Sequence, residues 1–332
     1  MLNGVRYWYR PRLHWLMIVL LPFTFLFFLV IQSRYLFYRC GLFKTHRFPV
    51  PVVVIGNIIV GGTGKTPLVI WLAHYLQTQG HRPGIVSRGY GAKRKEKVCV
   101  VTPYSNVDEV GDEALMIARR TKCPMVVGKD RVLAAQTLLT RYDCTVVIAD
   151  DGLQHYALER DIEIVVMDGE RQWGNGYLLP AGPLREPLAR LKKADCVVVK
   201  NGTDKFAMHL QPQPVTHLNG QQTTVLENFK GKTIHAVAGI GHPTSFFNIL
   251  KRAGCQLIPH AFPDHHRYIA TDLLFDDNHP VIMTEKDAVK CVVFAKENFW
   301  YLPVNAELSD DFKTQIMTLI NRRSVNNEIE MA

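Results

Sequence analysis

No C-x-x-C pair occurs among the seven cysteines at 40, 99, 123, 144, 196, 255 and 291. That argues against both a disulfide framework and a zinc site. Acidic side chains are missing from residues 1–50, where Arg6, Arg10, Arg12, Arg34, Arg39, Lys44 and Arg47 stand unopposed. These seven hold most of the formal charge of +9, so the body of the chain is nearly neutral. A nucleic-acid partner gripped by a broad basic surface is thereby excluded. Charge of either sign is missing from Trp15 to Ile31, inside HWLMIVLLPFTFLFFLVIQ. Extended to Leu13 and Gln32, such a helix covers about 30 Å, the thickness of a bilayer's hydrocarbon. No small-residue cleavage site follows, which argues against a removable signal. A stretch apolar on every face would need a large protein around it to be a core helix. The reading is an N-terminal membrane helix on residues 1–48, with Trp8, Tyr9, Trp15 and Tyr35 suited to an anionic headgroup surface. Basic residues flank both ends, so charge asymmetry sets no orientation, and Pro22 allows a kinked, shallow insertion.

What is present is concentrated in residues 51–68, PVVVIGNIIVGGTGKTPL. Val52, Val53, Val54 and Ile55 read as a buried strand, followed by a glycine loop and a helical pattern. Gly61, Gly62, Thr63 and Gly64 let backbone N–H groups turn in around phosphates, and the helix start adds its positive dipole end. Lys65 is placed to reach the β- and γ-phosphates of a nucleoside triphosphate, and Thr66 to offer its hydroxyl to Mg²⁺. Pro67 fits the first helical turn, which has no use for that N–H. The strict phosphate-loop pattern wants glycine at 59, where this chain has Ile59, so the loop is a variant. An ordinary turn would have no reason to set Lys-Thr behind three glycines.

Downstream, strands alternate with helices. The segment 83–87 leads into Ser87 and Arg88, at a parallel strand end where ligands collect. Lys93, Lys95 and Lys97 read as a solvated loop. Asp112 and Glu113 open a helix, where carboxylates also simply complement the dipole. The apolar strand 144–151 ends in Asp150 and Asp151, the carboxylates a phosphate-loop site needs for Mg²⁺. Five or six β-α units predict a P-loop-type, doubly wound, mostly parallel sheet over 49–205. A polar stretch at 206–228 reads as a linker, and 229–332 as a smaller second α/β domain. There 280–290 reads as a strand in which Thr284 and Asp287 have capping-box spacing. Asp264, His265 and His266 read as a surface loop, with no third metal ligand evident nearby.

GNIIVGGTGKTP at 56–67, SRGYG at 87–91, VGDEA at 110–114, DDGLQH at 150–155, AGPLREP at 181–187, FPDHH at 262–266 and TEKDAVK at 284–290 appear in this order behind the hydrophobic leader. Together they closely resemble the tetraacyldisaccharide 4'-kinase family of lipid A biosynthesis. The resemblance implies two α/β/α domains and transfer of the γ-phosphate of ATP to the 4'-hydroxyl of a tetraacyl disaccharide 1-phosphate. It also implies the cytoplasmic face of the inner membrane, no obligate protein partner, and a phosphate loop in which Ile59 is normal. By the same resemblance Asp112 is the base, supported by His265, Lys65 and Thr66 bind phosphate and magnesium, and Asp150 and Asp151 hold Mg²⁺. Ser87, Arg88, His155, Arg185, Glu186 and the TEKDAVK segment would line the substrate cleft. A competing class is a membrane-recruited switch ATPase, whose signature lysine before the glycines is Val60 here. A basic nucleic-acid ATPase fails on where the charge lies.

Overall fold

Val52–Gly56 is a strand buried at all five positions, and it lies at the middle of a nine-stranded sheet. The computed structural model describes residues 5–9, 14–94 and 96–331, with side chains for 7–9, 14–94 and 96–323. Arg10, Arg12, Leu13 and Lys95, and the side chain of Arg6, lie outside those described residues.

From one edge the large sheet runs Val304–Leu308, Ala207–Pro212, Cys196–Lys200, Ile162–Asp168, Val52–Gly56, Val146–Asp150, Pro83–Ser87, Met125–Gly128 and Val98–Val101. The seven inner strands are parallel and only the two edges run the other way. Parallel strands covered on both faces read as unbroken apolar runs, as Val52–Ile55 and Val146–Ala149 do. Their carboxyl ends align, so Gly56, Ser87, Asp150, Asp168 and Lys200 gather along one rim, where open α/β sheets bind ligands.

The smaller sheet has six strands in the order Thr223–Thr224, Val215–His217, Phe299–Leu302, Val281–Thr284, Thr233–Ala238, Gln256–Ala261. Helices Pro243–Arg252 and Glu285–Cys291 accompany it.

Three expectations need correction. The 206–228 linker is largely structured. Ala207–Pro212 pairs antiparallel with Val304–Leu308 and extends the large sheet. The chain also returns from the small sheet to the large one. Helix Asp310–Met331 buries Phe312, Ile316 and Ile320, spaced four apart, against the core that holds Leu68 and Leu72. Residues from Val304 onward therefore do not belong to a separate domain spanning 229–332. Third, the strand read over 280–290 ends at Thr284, whose hydroxyl accepts from the Asp287 N–H at 3.2 Å and starts helix Glu285–Cys291. The capping side chain, and no alternation of apolar residues, decided that segment.

The apolar leader divides into two helices, Trp15–Val19 and Leu21–Arg39, with Pro22 in the first turn of the second. The longer one has the length and composition to cross a membrane. It is nevertheless laid along the large domain. The Thr24 hydroxyl accepts from Ala181 N at 3.1 Å, and Phe27, Phe28 and Ile31 pack on the apolar cluster of Ile58 and Leu184. Arg34 donates to the Gln154 carbonyl, and the Tyr35 and Tyr156 rings meet edge-on at 5.9 Å. Its outer side leaves Phe23, Phe25, Leu26 and Val30 exposed.

Phe312 is fully buried and packs on Trp71, which stacks on Tyr75 of the phosphate-loop helix Lys65–Thr78. Phe312→Ala is expected to cost about 3–5 kcal/mol, read as a lowered urea midpoint of the full chain.

Candidate active site

The glycine loop joins the central strand to helix Lys65–Thr78, and its turn depends on backbone angles that only glycine adopts freely. Gly61 has φ +103° and Gly64, which precedes the helix, φ +93°. Position 59 needs no glycine because its side chain is used elsewhere. Ile59 is buried in an apolar cluster and its backbone bridges to Leu184, while Val60 N donates to the Pro183 carbonyl at 2.9 Å. The AGPLREP segment is thus a brace beneath the loop. Asn57 donates to the Gly61 carbonyl and to the Thr63 hydroxyl, each at 3.2 Å.

Asp150 and Asp151 end the strand beside the loop and have different surroundings. Asp151 is paired with Lys65 at 3.0 Å and lies 3.7 Å from Arg185. Burial pushes its carboxyl up, but those two cations outweigh it and hold it below the usual range. Asp150 is 2% exposed and accepts from the Ser87 hydroxyl at 2.9 Å, while its second oxygen is buried with no hydrogen bond. Burial, then the charges of Glu113 and Asp151, push its carboxyl up to about 6. A buried carboxylate with a free oxygen fits a divalent cation, with the Thr66 hydroxyl at the helix start as a second ligand. No group of three or more His, Cys, Asp or Glu side chains is assembled among the described residues. Mg²⁺ usually needs only one or two carboxylates beside phosphate oxygens and water.

Across the rim stands a second constellation. Asp112, at the start of helix Asp112–Thr121, is 6% exposed and meets His265 Nδ1 at 3.1 and 3.0 Å from its two oxygens. His265 comes from the small domain, in the left-handed region at φ +59°. Lys290 Nζ is 3.7 Å from Asp112, and Lys286 Nζ is 3.4 Å from His265 Nε2, 2.7 Å from Glu113 and 2.9 Å from Asp264. Burial pushes the Asp112 carboxyl up, yet the His265 hydrogen bond and the Lys286 charge prevail and hold it below the usual range. For His265 burial acts downward, and the hydrogen bond to Asp112 overcomes it, leaving the imidazole raised.

A cavity of about 220 Å³ runs from Gly62, Gly64 and Thr66 past an apolar wall that includes Ile240 and Phe246 to Lys286. Another, of about 320 Å³, holds Asp112, His265, Tyr90 and Lys290. The phosphate loop and the Asp112–His265 pair therefore face adjoining spaces between the two sheets.

The family model described as tetraacyldisaccharide-1-P 4'-kinase matches residues 16–321. The tetraacyldisaccharide 4'-kinase of Nitrosococcus oceani is 50% identical over 322 residues, covering 96% of this chain and 94% of that one. The Coxiella burnetii enzyme of the same name is 46% identical over 322 residues, 97% and 96% of the two chains. A crystal structure of LpxK from Aquifex aeolicus in complex with ATP, 30% identical, superposes with a TM-score of 0.76 over 92% of this chain and 99% of that one. The chain belongs to the tetraacyldisaccharide 4'-kinase family.

Within that kinase framework, the expected residues fall into three groups. Gly61 to Thr66, Asp150 and Asp151 meet at one rim, and Asp112 with His265 lines the adjoining cavity. Arg88, His155 and Arg185 lie around the acidic strand end. Burial and the charges of Arg131, Arg88 and Arg34 push the His155 imidazole down to about 4, so it is neutral at physiological pH. Glu186 and Ser87 are placed differently from a substrate-lining role. Glu186 is 2% exposed and accepts from Gln154 at 2.7 Å and Tyr156 at 2.6 Å, with Arg190 at 3.2 Å. It ties the DDGLQH and AGPLREP segments together from within, because a buried carboxylate needs all of those partners. Ser87 is 6% exposed and its hydroxyl is occupied by Asp150. The resemblance put the TEKDAVK segment at the cleft without singling out Lys286 and Lys290. On a helix their i, i+4 spacing puts both on the face toward Asp112.

Removal of the Asp112 charge leaves His265 to burial and Lys286, which act downward, against Asp264 alone, the smallest of the influences, which acts upward. In Asp112→Asn, the His265 titration followed by ¹⁵N NMR is expected below about 6.5, against a value above it in the unsubstituted chain. A raised histidine stabilises below its unfolded value and loses that contribution as pH rises through its folded one. A depressed aspartate stabilises above its unfolded value and loses it as pH falls through its folded one. The stability gap between the two proteins is therefore widest between roughly pH 4 and 6.5.

Proposed function

We propose that the chain transfers the γ-phosphate of ATP to the 4'-hydroxyl of a tetraacyl disaccharide 1-phosphate at a membrane surface. The observation that carries this is the hydrogen-bonded Asp112–His265 pair, joined through Lys286 to the cavity that the phosphate loop lines. In phosphoryl transfer the protein contributes mostly position and charge, and one carboxylate to orient the attacking hydroxyl.

Inward amides of Gly61 to Gly64 and the Lys65 ammonium hold the triphosphate. Thr66 and the free oxygen of Asp150 would hold Mg²⁺, which when bound neutralises charge on the phosphate oxygens. Asp112 accepts the hydrogen bond of the sugar hydroxyl and takes its proton as the new P–O bond forms and the bond to the leaving ADP oxygen breaks. A carboxylate with a depressed pKa is a weak base, which suffices where the hydroxyl becomes acidic only late in a loose transition state. His265 fixes the carboxylate's orientation and shares the proton it receives. Lys286 is a fixed cation between the two cavities, beside His265 Nε2. The apolar wall beside Gly64 accommodates a nucleoside base.

The acceptor carries four acyl chains, each held in the bilayer by about 0.8 kcal/mol per buried CH₂, so the catalyst must come to it. Helix Leu21–Arg39 is fastened to the domain along one side and apolar along the other. Such a helix lies in one leaflet, at the inner membrane, with the body on the cytoplasmic side.

Three measurements test this. With Mg-ATP and the disaccharide 1-phosphate in detergent micelles, Asp112→Asn is expected to lower kcat by about 10²–10⁴-fold with little change in the KM for ATP. His265→Ala should damage turnover more than His266→Ala, since His266 bonds Asp272 at 2.9 Å, away from Asp112. Equal, mild losses from the two histidine changes would remove His265 from the chemistry. Phe25→Asp with Val30→Asp is expected to reduce co-sedimentation with anionic vesicles while the thermal midpoint of the protein stays unchanged.

A further inference from the structure

Turning amides inward sends the carbonyls of a phosphate loop outward, and two of them have found side-chain donors. Asn57 holds the Gly61 carbonyl, and Arg171 Nη2 holds that of Gly62. Arg171 belongs to the loop after Ile162–Asp168, on the side of the central strand opposite the acidic pair. It is itself held. Its backbone N–H donates to Asp168 Oδ1 at 3.2 Å and its guanidinium lies 3.7 Å from Oδ2. Asp168 is 1% exposed and also bonds Lys200 Nζ at 2.6 Å, whose alkyl stem runs beside Gly64. A buried carboxylate flanked by two cations has one stable arrangement, and it aims the fork of Arg171 at the loop.

The guanidinium also meets the N-terminal segment. Tyr9 lies over it, 5.7 Å from the ring centroid. The residue before it is held as well: the Trp8 carbonyl accepts from Asn175 N at 2.7 Å and the Trp8 indole donates to the Pro180 carbonyl at 3.2 Å. The stretch preceding the apolar helices is thereby clipped onto the loop that carries Arg171.

We propose that Arg171 is a positioning residue for the donor nucleotide, keeping the phosphate loop preformed through the Gly62 carbonyl. Tyr9, stacked on its guanidinium, links ATP affinity to the seating of the membrane-proximal leader. The proposal rests on the reading that this loop holds ATP. Loss of Arg171 frees the Gly62 peptide to rotate, so the nucleotide must order it on binding, and affinity falls by the populated fraction of the competent loop. The acceptor site, on the far side of the γ-phosphate, is left as it was. A seated leader favours the competent loop, and a displaced one releases Tyr9 from Arg171.

The test is calorimetric titration of the full-length protein in detergent micelles with a non-hydrolysable ATP analogue and Mg²⁺, with acceptor kinetics alongside. Arg171→Met is expected to weaken the analogue about tenfold, and Arg171→Lys, which keeps one donor and the Asp168 pair, to recover part of that loss. Tyr9→Ala should weaken it about threefold, and the double variant no more than Arg171→Met alone, because Tyr9 acts through Arg171. The KM for the acceptor should not move in any of them. An unchanged analogue affinity in Arg171→Met overturns the proposal, and so does a loss shared equally with the acceptor KM. Multiplying single effects in the double variant overturns the link to Tyr9. Lys65→Ala separates the two levels of inference. Tight binding by the unsubstituted chain that Lys65→Ala abolishes keeps the phosphate-loop reading whatever Arg171 does, whereas no binding by the unsubstituted chain sinks that reading and the proposal with it.

Discussion

A backbone that offers its N–H groups to a triphosphate cannot keep them for itself, and its carbonyls then need partners of their own. Most of the architecture around residues 57–66 answers that one demand. The buried parallel strand Val52–Gly56 delivers the loop to the rim, and the helix beginning at Lys65 takes up the chain afterward. Between them the outward groups are met by Asn57, Arg171 and the backbone of Pro183 and Leu184. An unpaired buried carbonyl costs on the order of 1–3 kcal/mol, so each partner favours the binding-ready loop over alternatives. Ile59 illustrates the same point from the other direction. With its backbone bridged to Leu184 and its side chain in the core, a glycine there would only add freedom that must be lost again.

The site's carboxylates share one chemistry and are separated by their neighbours. Asp151 is compensated by Lys65 and Arg185, Asp112 by His265 and two lysines, and Asp150 by a single hydroxyl. Their titrations diverge accordingly, the first two held low and the third raised to about 6. Groups pushed apart in this way take different tasks. A well-compensated carboxylate is a steady anion for orientation and proton acceptance, and an under-compensated one is an invitation to a cation.

Legibility in the sequence followed how local each signal was. The phosphate loop, its strand and its helix were readable because glycine, lysine, threonine and a β-branched run each act within a few residues. The parallel sheet was readable for the same reason. The route of the chain was not. Ala207–Pro212 and Val304–Leu308 find each other across roughly ninety residues, and no local pattern in a short, half-exposed strand announces its partner. The choice between His265 and His266 shows the same limit more sharply. Adjacent residues of one type differ here because a left-handed turn at His265 sends one ring to Asp112 and leaves the other stacked on Phe262. The family resemblance supplied the choice, and the geometry shows only that His265 is the one bonded to Asp112. Glu186 came to the cleft by resemblance alone, and no local pattern shows that Gln154 and Tyr156, roughly thirty residues earlier, and Arg190, one turn later, surround it in the interior.

The leader shows how the two halves of the problem meet. Helix Leu21–Arg39 docks on the cluster formed by Ile58, Ile59 and Leu184, the same residues that brace the underside of the phosphate loop. Its tyrosines reach Tyr156, which is bonded to Glu186, and Glu186 holds Gln154 next to the acidic strand end. The exposed apolar side of the helix and the phosphate loop are thus separated by one layer of packed side chains. Interiors packed at crystal density transmit small displacements poorly as smooth strain but well as a choice between discrete arrangements. A membrane seat that selects one arrangement of this layer would therefore be felt at Asn57 and Gly61 without any hinge between them.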